Sequence, residues 1–138
     1  MNESSLWAYL KRGMTTKWHA TRIESSAGNG VPDVSFAIPG RWNSWVELKY
    51  VREWPKKDAT KVKLPLRPEQ KLWIKNRGSV AGDVWVMVRI ADAFFLLTWE
   101  QAVEATSGWT QKEWRLIDTQ WEYEIDFPQL TAILAKGC

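Results

Sequence analysis

Residues 30–49 read GVPDVSFAIPGRWNSWVELK, and this stretch has the pattern of a β-hairpin. Between Val34 and Ile38, bulky apolar residues alternate with small ones, which is typical of a short strand with one buried face. A second alternating run extends from Trp45 to Tyr50. The turn between the two runs is built on Pro39, Gly40 and Asn43. The stretch therefore predicts two antiparallel strands.

The predicted hairpin brings three ionisable side chains together. Glu47 and Lys49 are two residues apart, so they lie on one face of their strand. Asp33 opens the first strand and lies opposite Glu47 if the two strands pair. Two carboxylates offer hard oxygen ligands to Mg²⁺ or Mn²⁺, and an ammonium group stabilises a phosphate or an attacking water. This grouping favours phosphodiester hydrolysis, although a hairpin with a solvated charged face, in which Pro32 and Asp33 only form a turn, would carry the same residues.

The motif resembles that of the PD-(D/E)xK nucleases. The order Gly30-Val31-Pro32-Asp33, Glu47-Leu48-Lys49 and then Gln70 is similar to the stand-alone VRR-NUC nucleases of phages, which are relatives of Holliday-junction resolvases. The resemblance spans roughly residues 3–97. It implies an α/β restriction-endonuclease-like core, in which helices flank a mixed central sheet, and a Mg²⁺- or Mn²⁺-dependent DNA endonuclease.

The resemblance also assigns roles to individual residues. Asp33, Glu47 and the backbone carbonyl of Leu48 would bind the metal, and Lys49 would support the attacking water. Gln70 would orient the lysine, a water or a phosphate, or it would simply cap the amides at the start of its helix. The cut would leave a 5′-phosphate and a 3′-hydroxyl. A branched substrate such as a Holliday junction, and a symmetric homodimer that cuts two strands, are also implied.

A third acid is expected at the metal site, and two residues compete for it. Glu3 lies on the same stripe of a predicted first helix as Trp7 and Leu10, with Asn2 as the cap and Gly13 near the end. It matches the family's acid on the first helix, although an acid there would also favour the helix N-terminus electrostatically. Glu24 ends a predicted strand from Lys17. Arg22, on that strand, would contact the scissile phosphate or pair with Glu24.

Basic residues are concentrated after the predicted catalytic lysine. The segment 52–77 has nine Lys or Arg against three acids, whereas the segment 100–126 has seven acids against two bases. We expect the loop 52–66 to be a DNA-binding arm, although a flexible solvated loop could have the same composition. The predicted DNA-binding side chains are Arg22, Lys56, Lys57, Lys61, Lys63, Arg67, Lys71 and Lys75.

The remaining elements follow from periodicity and helix signals. Pro68 starts a helix that we expect to run to Arg77 and to end at Gly78. Residues 84–90 form a nearly continuous apolar run, as in a central strand, and residues 93–97 return as its partner. Short helices are predicted over 99–106 and 127–135, and residues 109–126 have no clear period. This tail would cover the sheet, build a dimer interface or bind a partner.

Composition limits the classes of function. The chain has 138 residues, a net charge of +3 and a single histidine, His19, so His-rich metal sites are excluded. There is no phosphate-binding glycine motif, and therefore no nucleotide cofactor is expected. The single cysteine, Cys138, allows no internal disulfide, and no apolar stretch is long enough to span a membrane. We therefore expect a soluble, cytoplasmic protein, and the resemblance suggests a phage protein that acts in a bacterial host.

One domain is the simplest organisation for this length, with a nuclease core at about 3–98 and a C-terminal extension over 99–138. The eleven tryptophans should mostly be core or dimer-interface residues. Trp42 and Trp54, in predicted loops, are the candidates for stacking on bases. Two rival functions are a restriction-type or nicking nuclease with another substrate preference, and a non-catalytic nucleic-acid-binding module.

Overall fold

Residues 2–14, 18–23 and 30–137, apart from the side chain of Trp42, are described by a computed structural model. They form a mixed sheet flanked by helices. The strands are β1 (His19–Arg22), β2 (Val34–Ile38), β3 (Arg41–Val51), β4 (Val84–Ile90), β5 (Ala93–Thr98) and β6 (Gln120–Glu122). The helices are α1 (Glu3–Gly13), α2 (Pro68–Ala81), α3 (Trp99–Ala105), α4 (Gln111–Trp114) and α5 (Phe127–Lys136). The predicted α/β class with a mixed central sheet is confirmed.

The strands lie in the sheet in the order in which they occur in the chain. Only β3 and β4 pair in parallel in the described part of the sheet, and the other neighbours are antiparallel. Parallel strands need a long crossover between them. Here the crossover is the basic segment after β3 together with α2, and the start of α2 lies at the middle of β3, where Gln70 contacts Glu47.

The predicted hairpin is confirmed, with one correction. β2 and β3 pair with Val34 opposite Val46 and Ser35 opposite Trp45. The turn is limited to Pro39 and Gly40, and β3 already begins at Arg41. Asn43 therefore lies within the strand and not in the turn, because Gly40, at a φ of 89°, alone supplies the positive φ that the reversal needs.

Each face of the sheet has its own apolar core. On the α1 side, Val46 and Leu48 of β3 pack with residues of α1 and α5. On the α2 side, Val86, Val88 and Phe95 pack with residues of α2, α3 and α4. β4 is covered on both faces, as its apolar run predicts. In the described residues, no helix combines the length and the hydropathy that crossing a bilayer requires.

Residues 99–137 contribute to both cores. Helices α3 and α5 are close to their predicted positions, at Trp99–Ala105 and Phe127–Lys136. The structure adds α4 and β6 in the segment that shows no period, and β6 pairs with β5 at the edge of the sheet. Of the three roles open to this tail, covering the sheet is the one that the structure shows.

The predicted end of α2 is wrong. The helix continues past Gly78 to Ala81 and ends at Gly82, which has a φ of 65°. Gly78 is buried within the helix, where a Cβ would lie 2.1 Å from Cγ of Trp99. This glycine therefore does not stop the helix. It lets the indole of Trp99, the first residue of α3, lie directly on the backbone of α2.

We predict that Gly78→Ala destabilises the protein, although alanine is the better helix former. The added methyl group must push Trp99 out of its place, and overpacking of this kind costs about 1–3 kcal/mol, against a gain in helix propensity of about 1 kcal/mol. Urea unfolding measures the difference. Ser79→Ala, at the adjacent exposed position, is the control and should not lower the stability. A stable Gly78→Ala variant would show that Trp99 can move at little cost.

Candidate active site

Three carboxylates converge beside the middle of β3. Asp33 lies just before β2, Glu47 is on β3 and Glu3 is the first residue of α1. One carboxylate oxygen from each lies within 4.8 Å of the other two. Glu47 is 1% exposed, whereas Glu3 is an exposed residue at the rim. The group of acids is thus buried at Glu47 and open to solvent at Glu3.

Lys49 supplies the positive charge of the site. Its Nζ atom lies 3.3 Å from Oε2 of Glu47 and 4.0 Å from Oε1 of Glu3. Lys49 is 7% exposed, so its ammonium group is largely shielded from water. The predicted sharing of one strand face by Glu47 and Lys49 is confirmed.

The carboxylate of Asp33 is fixed by the backbone of β3. The amide of Leu48 donates a hydrogen bond of 2.9 Å to Oδ2 of Asp33. The N–H and C=O groups of one strand residue point to the same neighbouring strand. The carbonyl of Leu48, predicted as a backbone metal ligand, is thus directed to the side on which Asp33 lies.

Gln70 connects the start of α2 to Glu47. Its Nε2 donates a hydrogen bond of 3.0 Å to Oε2 of Glu47, and its Oε1 accepts one of 2.9 Å from the amide of Arg67. The capping contact that the sequence left open is therefore present. The contact with Glu47 was not predicted, because it depends on how α2 lies across the sheet.

The loop before Asp33 is held against the same helix end. Gly30 is buried, with a φ of 75°, and a Cβ there would lie 2.1 Å from the carbonyl oxygen of Glu69. Only glycine permits this approach of two backbones. Gly30 thus allows the loop that leads to Asp33 to rest on the N-terminus of α2, beside Gln70.

The pKa of Glu47 is raised far above its usual value. The pKa of its carboxyl is raised to about 8, first by burial and then by repulsion from Asp33, while Lys49 partly offsets both effects. Its second oxygen, Oε1, is buried without a hydrogen-bond partner among the described residues. An orphaned buried carboxylate oxygen is costly unless a cation binds it. Together with the hard oxygen donors around it, this atom fits a divalent metal ion.

The structure places one of the two candidates for the third acid. Glu3 lies with Asp33 and Glu47, whereas Glu24 is outside the described residues. Arg22 pairs with Val34, whose side chain is in the core on the α1 side. Directly opposed strand residues share a face, so Arg22 is on the face of the sheet opposite to Glu47. The structure thus does not bring Arg22 to the group of acids.

The basic segment after β3 is tied to the rest of the protein. Val62 exchanges two backbone hydrogen bonds with Trp109, of 2.7 and 3.1 Å, and the amide of Leu64 donates to Ala105 at 2.9 Å. Val62 and Leu64 are buried, whereas Lys61 and Lys63 alternate with them and are exposed. This two-residue alternation is visible in the sequence, and it could have indicated a fixed, strand-like segment in place of the expected loop.

The other predicted DNA-binding residues have different surroundings. Lys56 and Lys57 are exposed in the turn that begins the segment, and Lys75 is exposed on α2. Lys71 is half-buried. Arg67 caps α2, and its side chain lies 3.3 Å from Glu69 while remaining mostly exposed.

Of the two tryptophans proposed to stack on bases, one is placed by the structure. Trp54 lies edge-on against Phe95, with ring centroids 6.0 Å apart, and the guanidinium of Arg115 lies 5.3 Å from the Trp54 ring centroid. Trp54 is therefore part of the packing on the α2 side. The side chain of Trp42 lies outside the described part.

Comparisons with known proteins add little to this geometry. No protein-family model and no curated protein matches the chain. Among solved structures, the fold is similar to Hjc, a Holliday junction resolvase from the archaeal hyperthermophile Archaeoglobus fulgidus, determined at 1.6 Å resolution. The similarity covers 82% of this chain and 94% of that one, with a TM-score of 0.46 and 13% sequence identity. Similarity at this level says nothing about chemistry.

We predict that the metal-free protein becomes less stable as the pH rises from about 5 to 8. The pKa of Glu47 is about 8 in the folded protein and near its usual value of 4.5 in the unfolded chain, so the folded state holds the extra proton between these values. The free energy of unfolding should therefore fall by up to about 1.4 kcal/mol per pH unit, and the fall should end above pH 8.

Thermal unfolding in a chelating buffer across this pH range measures the effect. Glu47→Gln, which is neutral at every pH and similar in shape, is the control and should show a flatter dependence. Added Mg²⁺ should stabilise the wild type more at pH 8 than at pH 6, because the metal competes with the proton. Equal slopes for the two proteins would show that Glu47 is already ionised at pH 6.

Proposed function

We propose that the protein is a Mg²⁺- or Mn²⁺-dependent nuclease that hydrolyses phosphodiester bonds in DNA. The observation that carries this proposal is the buried carboxylate of Glu47, whose Oε1 has no partner among the described residues although Asp33 and Glu3 lie beside it. A structural ion pair would use both oxygens of such a group. An unpartnered oxygen on a buried carboxylate, with two further carboxylates beside it, is a donor set that suits a divalent cation.

The donor set suits a small divalent cation. Glu3, Asp33 and Glu47 would hold it, and the carbonyl of Leu48 would add a backbone oxygen. Three carboxylates against the one ammonium of Lys49 leave a deficit of two positive charges when all are ionised, which a divalent ion balances. When bound, such an ion polarises a phosphate and lowers the pKa of a water molecule.

In the proposed site, the groups around the carboxylates have separate roles. Gln70 donates to Oε2 of Glu47, and Oε1 has no hydrogen-bond partner among the described residues. Lys49 lies between Glu47 and Glu3, where its ammonium can donate to a water molecule or to a phosphate oxygen that enters from the open side. The amide of Leu48 keeps Asp33 from rotating away. The protein thus orients the nucleophile and the phosphate on a fixed frame.

The finer features of the substrate rest on the sequence resemblance. A 5′-phosphate product, a preference for branched DNA, a homodimer with two sites, and an origin among stand-alone phage VRR-NUC nucleases all remain predictions. Cleavage of matched Holliday-junction, flap and linear duplex DNA with Mg²⁺ and with Mn²⁺ separates a structure-selective nuclease from a restriction-type or nicking one. Binding without cleavage in all cases would identify a non-catalytic module.

We predict that Asp33→Asn and Glu47→Gln abolish cleavage while the protein stays folded, because each removes a ligand charge and changes little volume. Lys49→Ala should lower the rate by about 10²–10³, the usual effect of removing one electrostatic group at the reacting centre. Metal-dependent cleavage of labelled DNA is the measurement, with circular dichroism as the check on folding. Glu53→Gln, an exposed acid just after β3, is the matched control and should remain active. Cleavage by Asp33→Asn at the wild-type rate would refute the proposal.

The fixed basic segment gives a second prediction. Lys61 and Lys63 are exposed on a backbone that cannot move freely, so they should contact phosphates at a defined distance from the cut. Replacing both with alanine should reduce the slope of log K against log salt by about 0.9 for each phosphate that is no longer neutralised, on any duplex sequence. Lys136→Ala, on the surface of α5, is the control and should leave the slope unchanged. The same unchanged slope in the double variant would show that DNA is held elsewhere.

A further inference from the structure

One stripe of α2 forms an open groove that the proposed metal site does not use. It is lined by Trp73, Asn76, Arg77 and Val80, and its volume is about 340 Å³. Small-molecule sites in proteins start at about 300 Å³, so the groove is large enough for one nucleotide-sized group. Val80, at the edge of the groove, is 89% exposed and so leaves the groove open to solvent.

The inner wall of the groove is a rigid assembly of rings and a guanidinium. Trp45 and Trp73 meet edge to face, with ring centroids 5.4 Å apart. The Cζ atom of Arg77 lies 5.9 Å from the ring centroid of Trp45 and 5.7 Å from that of Trp73. Asp83 accepts hydrogen bonds of 3.0 and 3.1 Å from Nε and Nη2 of Arg77, so the guanidinium is held flat in one place.

This arrangement favours a base over a phosphate. Asp83 neutralises the charge of Arg77, which weakens its attraction for a phosphate. The guanidinium already lies against the rings of Trp45 and Trp73, and the half-buried side chains of Trp73 and Arg77 line the groove, where a base would stack on them. Bases stack on aromatic side chains and on guanidinium planes. Asn76 is exposed and adds an amide, whose donor and acceptor groups suit the edge of a base.

The groove lies close to the proposed cleavage site. Trp73 and Arg77 follow Gln70 on α2 by three and seven residues, and Gln70 contacts Glu47. At 1.5 Å per residue, these positions are roughly 5–10 Å further along the helix axis. This corresponds to about one to three nucleotides of a duplex strand.

We propose that this groove binds one unpaired base of the DNA substrate, within a few nucleotides of the scissile phosphate. The inference rests on the proposed nuclease function and narrows its substrate class. A base inside a duplex is stacked and paired and cannot enter the groove without being extruded. The groove therefore selects DNA in which a base next to the cut is already free, as at a flap, a gap or a bulge.

The test compares two DNA probes that differ in the pairing of one base. One duplex carries the fluorescent base 2-aminopurine as a single unpaired bulge, and the other carries it opposite thymine. Affinity is measured by anisotropy of an end label and stacking by quenching of 2-aminopurine, both in a chelating buffer so that nothing is cut. The wild type should bind the bulged probe at least about fivefold more tightly, as expected for one stacked base, and should quench it.

Two charge-changing variants on adjacent exposed positions of α2 give a matched comparison. Val80→Glu places a carboxylate in the groove, whereas Ala81→Glu adds the same charge just outside it. Val80→Glu should lose the preference for the bulged probe while it keeps the affinity for the paired one, and Ala81→Glu should behave like the wild type. Trp73→Leu should lose the quenching, and Trp73→Phe should restore part of it.

Three results would overturn the inference. The first is equal binding of both probes by the wild type, and the second is an equal effect of Val80→Glu and Ala81→Glu, which would reflect only general repulsion of DNA. The third is a change in sedimentation of the free protein on Val80→Glu, which would make the groove a contact between copies. Failure of the nuclease proposal is a different result: it would appear as absence of metal-dependent cleavage while the preference for the bulge persists.

Discussion

Burial of the Glu47 carboxylate is the constraint on which the rest of the site depends. An ionised group at this depth costs several kcal/mol unless its neighbours compensate for the lost water. Within the described residues, that compensation comes from the amide of Gln70 and the ammonium of Lys49, both at Oε2 of Glu47. Asp33 opposes the ionisation, and Oε1 is left without a hydrogen-bond partner, so the carboxylate is compensated only in part. The backbone around the site is tightly packed. Gly30 against Glu69 is the clearest case, because any side chain there would separate the loop of Asp33 from the helix of Gln70.

The parallel pairing of β3 with β4 explains why these groups come from such different parts of the chain. A hairpin would have joined the strands by a short turn at one edge. The parallel arrangement instead sends residues 52–83 across the face of the sheet, and this crossing lays the start of α2 over Glu47. The same crossing contains the basic segment, which Val62 and Leu64 anchor to Trp109 and Ala105. The crossover that the parallel pairing requires therefore contains the amide of Gln70, the exposed lysines and the stripe of α2 that forms the groove.

The parts that sequence reasoning predicts correctly are those with local signals. The hairpin and the carboxylate pair with its lysine follow from two-residue alternation and turn residues close in the chain, and β4 and β5 follow from apolar runs that are nearly continuous. Gly78 misleads because it has the usual signature of a helix end, and its true reason, the ring of Trp99, is 21 positions away. Elements α4 and β6 are too short, at four and three residues, to show a period. The choice between Glu3 and Glu24 depends on how α1 lies on the sheet, which no pattern within α1 records.

The packing of the last helices also decides when the site can exist during synthesis. α1, which carries Glu3, rests on residues that are synthesised much later: the ring of Phe127 lies against Gly13, and the amide of Ile125 donates to Oη of Tyr9 at 2.8 Å. The basic segment likewise gains its backbone hydrogen bonds only after Ala105 and Trp109 have been synthesised. A nascent chain that has reached only residue 98 would therefore contain every proposed metal ligand and Lys49. In that chain α1 could pack on β3 but would lack its contacts with Ile125 and Phe127, and the lysine segment would lack its anchors. At about 5–20 residues per second, the ribosome needs roughly 2–8 s to add residues 99–137. During those seconds the side chains of the site would be present without the contacts that fix α1 and the lysine segment in place.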